Sequence, residues 1–175
     1  KQRLNLFFQV ILLNGNMNRL FDYDGLNLGD IRAYQYPKAR EENGVLHRII
    51  CDNSVTKDKG ALMTKWDCFK VEEFVKIAEY AQSLVDRPTE LVDLWGQVYR
   101  EGHFQKFHNH IHNDWAFVYY VNTPEGSSPI VFREIRKRIR PIEGMMIMFP
   151  GWVDHYVPPN QCNGRSIVAG NLVYS

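Results

Sequence analysis

Three of the chain's six histidines fall within Phe107-His108-Asn109-His110-Ile111-His112-Asn113-Asp114, spaced two apart, and an aspartate closes the run. Residues two apart on a β-strand point to one face. A strand here would aim three imidazoles and a carboxylate the same way. Neutral imidazole and carboxylate are the usual ligands of iron, zinc and manganese. A solvated polar face is the bland reading of the same run. His155 joins the set from a distance. It follows Gly144, the apolar run 145–149 and the turn Pro150-Gly151. A buried strand ending at Pro-Gly would deliver His155 to the end of a sheet, as a further ligand. His47 and His103 have no such company and read as surface or packing residues.

The elements that must position these groups are mostly strands. Trp95 to Phe107, Trp115 to Asn122, Ser128 to Ile135, Arg138 to Ile142, Met145 to Phe149, Tyr156 to Val157 and Ser166 to Tyr174 are apolar or alternating. Gly102, Thr123-Pro124-Glu125-Gly126, Glu143-Gly144, Pro150-Gly151, Pro158-Pro159-Asn160 and Asn163-Gly164 separate them. Short strands at even spacing with turn signals predict a sandwich or barrel. Before them, residues 69–85 repeat Val71, Phe74, Val75, Ala78, Ala81, Leu84 and Val85 at helical spacing, which predicts one amphipathic helix. Asp67 is its candidate cap, and Glu72 and Glu73 sit near its positive end. Further upstream, residues 4–13 predict a strand, Asn14-Gly15-Asn16 a turn, and 18–36 loops and short strands. Asn43-Gly44 reads as another turn, Val45 to Cys51 as a strand, and Asp52 to Gly60 as a polar loop.

The 175 residues suit one domain, with 1–90 supplying N-terminal strands and a supporting helix and 91–175 the jelly-roll core. Hydrophobic residues at 45% and a net charge of +1 describe a globular chain whose overall charge implies no nucleic-acid partner. No apolar run reaches the length of a membrane span. Cys51, Cys68 and Cys162 are odd in number and scattered, which argues for free thiols and a reducing, cytoplasmic setting.

The order of motifs resembles a known family. A His-x-(Asp/His) pair leads into Val118-Tyr119-Tyr120-Val121-Asn122, and then come Gly144, an apolar strand, Phe149-Pro150, His155 and, ten residues on, Arg165. With the Trp95 to Gly102 lead-in, residues 92–175 resemble the Fe(II)- and 2-oxoglutarate-dependent oxygenases. Small phage and bacterial oxygenases of prolyl-hydroxylase type are the nearest in pattern. Cupins match too, since Gly102, His108-x-His110 and Asp114 follow their spacing with Asp in place of Glu. Both families are double-stranded β-helices, so the resemblance implies a mainly β jelly roll with a flanking helix, located in the cytoplasm (of the host, if phage-encoded).

The resemblance also implies roles. His108 and His155 occupy the two histidine positions of the metal-binding triad. His110 stands where most of these oxygenases carry the carboxylate. The site then uses three histidines, or takes its carboxylate from Asp114, or uses His112-x-Asp114 one step along. Four residues of straight strand span about 13 Å, so Asp114 can share a metal with His110 only if Ile111 to Asn113 turns. Iron and 2-oxoglutarate are the implied cofactors. Arg165 is implied to grip the far carboxylate of the cosubstrate, as a guanidinium does bidentately, with Tyr120 and Tyr99 assisting. Alternation puts Arg165, Ile167, Ala169 and Asn171 on one face of the last strand. The implied function is oxygenation, most simply hydroxylation, of a peptidyl or small-molecule substrate. A cupin-type metalloenzyme without 2-oxoglutarate and a non-enzymatic jelly roll are the competing readings. Arg165 discriminates, because a cupin has no need of it. The basic run Arg133 to Arg140 reads as a solvated hairpin or as part of the site mouth, and Trp115, Phe117, Trp152 and Tyr156 as mouth or outer layer.

Overall fold

The computed structural model describes residues 31–55 and 60–175. The predicted strand at 4–13, the turn after it and most of the predicted 18–36 loops lie outside these residues. The described chain forms β1 (Arg32–Gln35), α1 (Ala39–Asn53), β2 (Leu62–Met63), a 3₁₀ turn (Cys68–Lys70), α2 (Glu72–Ser83), β3 (Thr89–Tyr99), β4 (Gln105–His108), β5 (Trp115–Asn122), β6 (Ile130–Phe132), β7 (Lys137–Ile139), β8 (Met145–Pro150), β9 (His155–Val157) and β10 (Arg165–Tyr174).

The strands build two sheets, ordered β1-β8-β5-β10-β3-β2 and β4-β9-β6-β7. Every pairing between these strands is antiparallel. Alternation decides which face each side chain takes. On β8, Met146 and Met148 join the core beneath the helices, while Met145, Ile147 and Phe149 join the core between the sheets. On β10, Val168 and Leu172 face the helices and Ile167 and Ala169 face the second sheet. This is the double-stranded β-helix that the resemblance implies, and it meets the sandwich that the strand pattern predicts.

The helices cover one face of the larger sheet. Phe74, Ile77, Ala78 and Ala81 of α2 are buried. Phe74 and Ile77 have no exposed surface, and burial of a side chain of that size stabilises by roughly 1.5–3 kcal/mol. The helix begins later than its apolar pattern predicts. The 3₁₀ turn occupies residues 68–70, Val71 stands at the cap position, and Asp67 makes no side-chain cap bond.

α1 corrects two expectations. Residues 39–53 are helical, so Asn43-Gly44 is not a turn and Val45 to Cys51 is not a strand. Ala39, Asn43, Leu46 and Ile50 recur at helical spacing on the buried side. The Asn43 side chain does not make a turn. Its Oδ1 accepts from the Tyr119 hydroxyl at 2.5 Å and its Nδ2 donates to Glu143 at 3.3 Å. Sheet and helices meet closely at Gly96, where an added Cβ would lie 2.8 Å from Ile50 Cγ1.

The three cysteines are free. No helix among the described residues is long and apolar enough to cross a membrane.

Candidate metal and cosubstrate site

The site is built where the two sheets open apart. β4 and β9 pair with His108 opposite His155, and β6 sets Phe132 opposite His155 on the other side. The chain leaves β4 directly after His108, so the strand does not continue through His112 as its spacing predicts. Residues 110–114 turn instead, with the Asn113 amide donating to the His110 carbonyl at 2.8 Å. His112 ends exposed. The turn is clamped to the end of β8: the His110 amide donates to the Gly151 carbonyl at 2.6 Å and the Gly151 amide to the Asp114 carbonyl at 3.0 Å. Only glycine fits at 151, because a Cβ there would collide with the carbonyl oxygens of Asn113 and His110.

This arrangement brings His108, His110 and His155 together. One ring nitrogen of each lies within 4.8 Å of the others. Ring centroids are separated by 4.3 Å for His108 and His155, 5.2 Å for His108 and His110, and 5.3 Å for His110 and His155. His108 Nδ1 lies 2.7 Å from the Lys106 carbonyl and His155 Nδ1 lies 3.0 Å from the Val153 carbonyl. A carbonyl can only accept, so each Nδ1 carries the proton and each Nε2 keeps its lone pair. Burial favours the same neutral form. It pushes His155 down to about 3, helped by His108, and His110 down to about 4, again helped by His108. It lowers His108 as well. Three neutral imidazoles on two sheet ends suit a divalent transition metal.

Asp114 is not part of this group. Its position is a correction to the expectation that it lies on the strand face with the histidines. The required turn does form, but the carboxylate faces away and accepts the Tyr174 amide at 2.7 Å. His47 packs elsewhere, with Nδ1 2.8 Å from the Ser166 hydroxyl, and His103 Nδ1 accepts the Arg100 amide at 3.2 Å.

A cavity of about 130 Å³ runs from the histidines to Arg165 and is walled by Tyr99, Tyr120, Val118 and Ile167. Arg165 is 1% exposed. Its guanidinium carbon lies 4.1 Å from the centroid of the Tyr99 ring and 5.5 Å from that of Tyr120. Its Nε and Nη1 are buried with no hydrogen-bond partner, and so is the Tyr120 hydroxyl. Burial pushes that hydroxyl up to about 12, so it is protonated and able to donate. The Tyr99 hydroxyl is engaged, donating to Gln97 Oε1 at 2.9 Å. A buried guanidinium left without an anion is costly, and no described carboxylate pairs with it. A small anion in the cavity fits these orphaned donors. The face predicted for β10 is also seen: Arg165, Ile167 and Ala169 line the cavity. Asn171 lies next along that face and donates to Asp93 at 3.1 Å.

Of the aromatic residues considered for the mouth, Trp115 and Phe117 are buried in the core beneath the helices, and Phe117 also lines the cavity. Trp152 is 42% exposed, and Tyr156 lies against Phe107 on the outside of the smaller sheet. The basic run forms the β6–β7 turn and β7, with its basic side chains exposed and Ile139 buried. Trp95 and Gln97 also line the cavity, though Trp95 enters the pattern only as part of the lead-in and neither is expected among the site residues. Their shared parity with Tyr99 on one strand was the available signal.

No family model matches the chain, and no curated protein does. Solved structures do match in fold. A viral collagen prolyl hydroxylase from Paramecium Bursaria Chlorella virus-1, in complex with 2-oxoglutarate, superposes with a TM-score of 0.64 at 15% identity, over 77% of this chain and 89% of that one. A Pseudomonas putida prolyl-4-hydroxylase gives 0.61 at 14% identity, over 84% and 92%. HygX from Streptomyces hygroscopicus, with nickel and 2-oxoglutarate bound, gives 0.64 at 10% identity, over 85% and 84%. The chain therefore has the double-stranded β-helix fold of the 2-oxoglutarate- and iron-dependent oxygenases.

Proposed function

We propose that the protein is a non-haem Fe(II)- and 2-oxoglutarate-dependent oxygenase, acting as a hydroxylase on a peptidyl or small-molecule substrate. One observation carries the reading. A metal-competent histidine cluster and an unpaired, buried arginine share one cavity. His108, His110 and His155 would hold the iron, with His110 in the place usually given to a carboxylate. Arg165 would grip the far carboxylate of 2-oxoglutarate through Nε and Nη1, and the Tyr120 hydroxyl would donate to the same group. Iron with 2-oxoglutarate, when bound, supplies the oxidising power for attack on a C–H bond. The chain supplies the rest. The backbone carbonyls of Lys106 and Val153 keep His108 and His155 in the ligating tautomer. Ile167, Val118 and the Tyr99 ring keep water from the cosubstrate and strengthen its pairing with Arg165.

The competing reading, a cupin-type metal site without 2-oxoglutarate, is favoured by the all-histidine ligand set. It leaves Arg165 without a purpose. Anaerobic titration with Fe(II) and then 2-oxoglutarate separates the two. A weak visible charge-transfer band that requires both ligands supports the oxygenase. Iron binding without that band supports the cupin. The three free thiols fit a reducing compartment, and we assign the protein to the cytoplasm.

A further inference from the structure

A second cavity of about 610 Å³ adjoins the histidine cavity and shares Met63, Trp66 and Gln105 with it. Its most unusual wall is Trp66, which is 53% exposed yet firmly placed. The Trp66 carbonyl accepts the Leu94 amide at 3.1 Å, and the Thr64 amide donates to the Gly96 carbonyl at 3.0 Å. Gly96 returns a bond to the Thr64 hydroxyl at 2.9 Å. The Trp66 indole also packs against Trp95, tilted by 47° with centroids 4.3 Å apart, and the Trp95 ring in turn lies 6.4 Å from that of His110. An isolated exposed apolar side chain needs no explanation. An indole pinned by backbone bonds over a cavity, one ring away from the histidine cluster, does.

Charge narrows what the cavity would hold. Among the described residues that line it, Lys65 and Lys106 are the ionisable ones and none is a carboxylate. Neither ammonium pairs with a described carboxylate. A cationic ligand would suit the indole but would be repelled by both lysines. A neutral apolar ligand would use the aromatic wall and gain nothing from the charges. Trp95, which lines the histidine cavity and packs against Trp66, carries a buried Nε1 donor without a partner.

We propose that this cavity binds the substrate, and that the substrate is an anion carrying a flat ring. The ring stacks on Trp66, and Lys65 and Lys106 neutralise the charge. Two sources present this chemistry, a nucleotide and an aromatic carboxylic acid. Identifying the bound anion as substrate rests on the oxygenase reading of the adjoining histidines. The binding itself needs neither iron nor 2-oxoglutarate.

The test is isothermal titration of the metal-free full chain with adenosine 5′-monophosphate, phenylacetate, adenosine and inorganic phosphate. At least one of the two ring-bearing anions should bind, roughly tenfold or more tighter than both adenosine and phosphate, because stacking and charge act together. Which one binds names the source. The double variant Lys65→Glu, Lys106→Glu should lose that affinity by roughly tenfold or more, as should Trp66→Ala, while Trp66→Phe retains most of it. Thermal melts of each variant separate lost binding from lost fold. The proposal is overturned if neither anion binds, if adenosine binds as tightly as its phosphate, or if the Trp66→Ala variant, still folded, binds like the parent. Anion binding in a protein that forms no iron–2-oxoglutarate band leaves the site standing and removes the oxygenase reading. The reverse result removes the site alone.

Discussion

His108 and His155 are register partners across the β4–β9 pair, and their ring centroids lie 4.3 Å apart. A single antiparallel pairing thus sets the separation of two candidate ligands that are far apart in sequence. Each is locked by the backbone carbonyl two residues before it, Lys106 for His108 and Val153 for His155. His108→Ala or His155→Ala should therefore abolish Fe(II) binding, because no neighbouring side chain can take the vacated position. His110→Ala should weaken it at least tenfold. Asp114→Ala should leave metal content unchanged and cost only about 0.5–1.5 kcal/mol, through the lost bond to the Tyr174 amide. Elemental analysis of the reconstituted variants checks all four, and equal losses at His110 and Asp114 would restore the aspartate as a ligand.

Arg165 should matter to the cosubstrate and not to the metal. Arg165→Met keeps the bulk of the buried side chain and removes its charge. Affinity for 2-oxoglutarate should fall by about 2–4 kcal/mol, while Fe(II) binds as before. Arg165→Lys should recover part of the loss as a point charge without the fork. Unchanged 2-oxoglutarate affinity in the methionine variant would leave the cupin reading in possession.

Gly151 should influence the site without touching it. In Gly151→Ala the added methyl meets the carbonyls of His110 and Asn113 and pushes the 110–114 turn off the end of β8. We expect a loss of about 1–3 kcal/mol in stability and a drop of roughly tenfold or more in metal affinity. Urea unfolding and a competitive metal titration measure the two effects separately. A variant that is less stable but binds metal normally would show that the turn does not place His110.

Acid should destabilise the metal-free protein through His155, which burial holds down at about 3. In an unfolded chain a histidine titrates near ~6.5. Between those values the unfolded state binds a proton that the folded state refuses, so stability falls as pH drops through the window. The slope from His155 alone approaches about 1.4 kcal/mol per pH unit. Urea midpoints from about pH 7 down to about pH 5 should show the fall, and His155→Asn should make it shallower, leaving the share that His110 and His108 contribute in the same direction. An equal slope in that variant would assign the effect to other groups.

Much of the fold is legible in the chain because alternation and turn residues agree there. β5 is Trp115–Asn122 in both pattern and structure, and β8 extends the predicted run by one residue, to Pro150. α1 was not legible. Asn43-Gly44 has the chemistry of a turn, and Val45, Ile49 and Ile50 favour strands. The structure overrides both because Leu46 and Ile50 bury completely on one helical side and Asn43 is spent on Tyr119 and Glu143. In the site, His108, His110, His155, Arg165, Tyr120 and Tyr99 gather in one cavity. Asp114 does not, since a turn has no alternation to point its carboxylate inward. Trp66 could not be found at all from the sequence. Its place depends on bonds between the Thr64–Trp66 turn and β3, which neither segment announces alone.

The central position of β10 has a kinetic consequence. It pairs with β3 from Arg165↔Tyr99 to Tyr174↔Thr89 and with β5 on its other edge, so the middle of the larger sheet closes loops tens of residues long. High contact order of this kind slows folding to about milliseconds to seconds. Until β10 docks, β3 and β5 each present an unpaired apolar edge, which is a template for association between chains. His108 and His110 are near neighbours in the chain, so a metal ion could capture them early, but His155 must wait for β9. Metal loading therefore reports completed assembly of both sheets, and refolding with Co(II) present should show its full absorption spectrum only in the slowest phase.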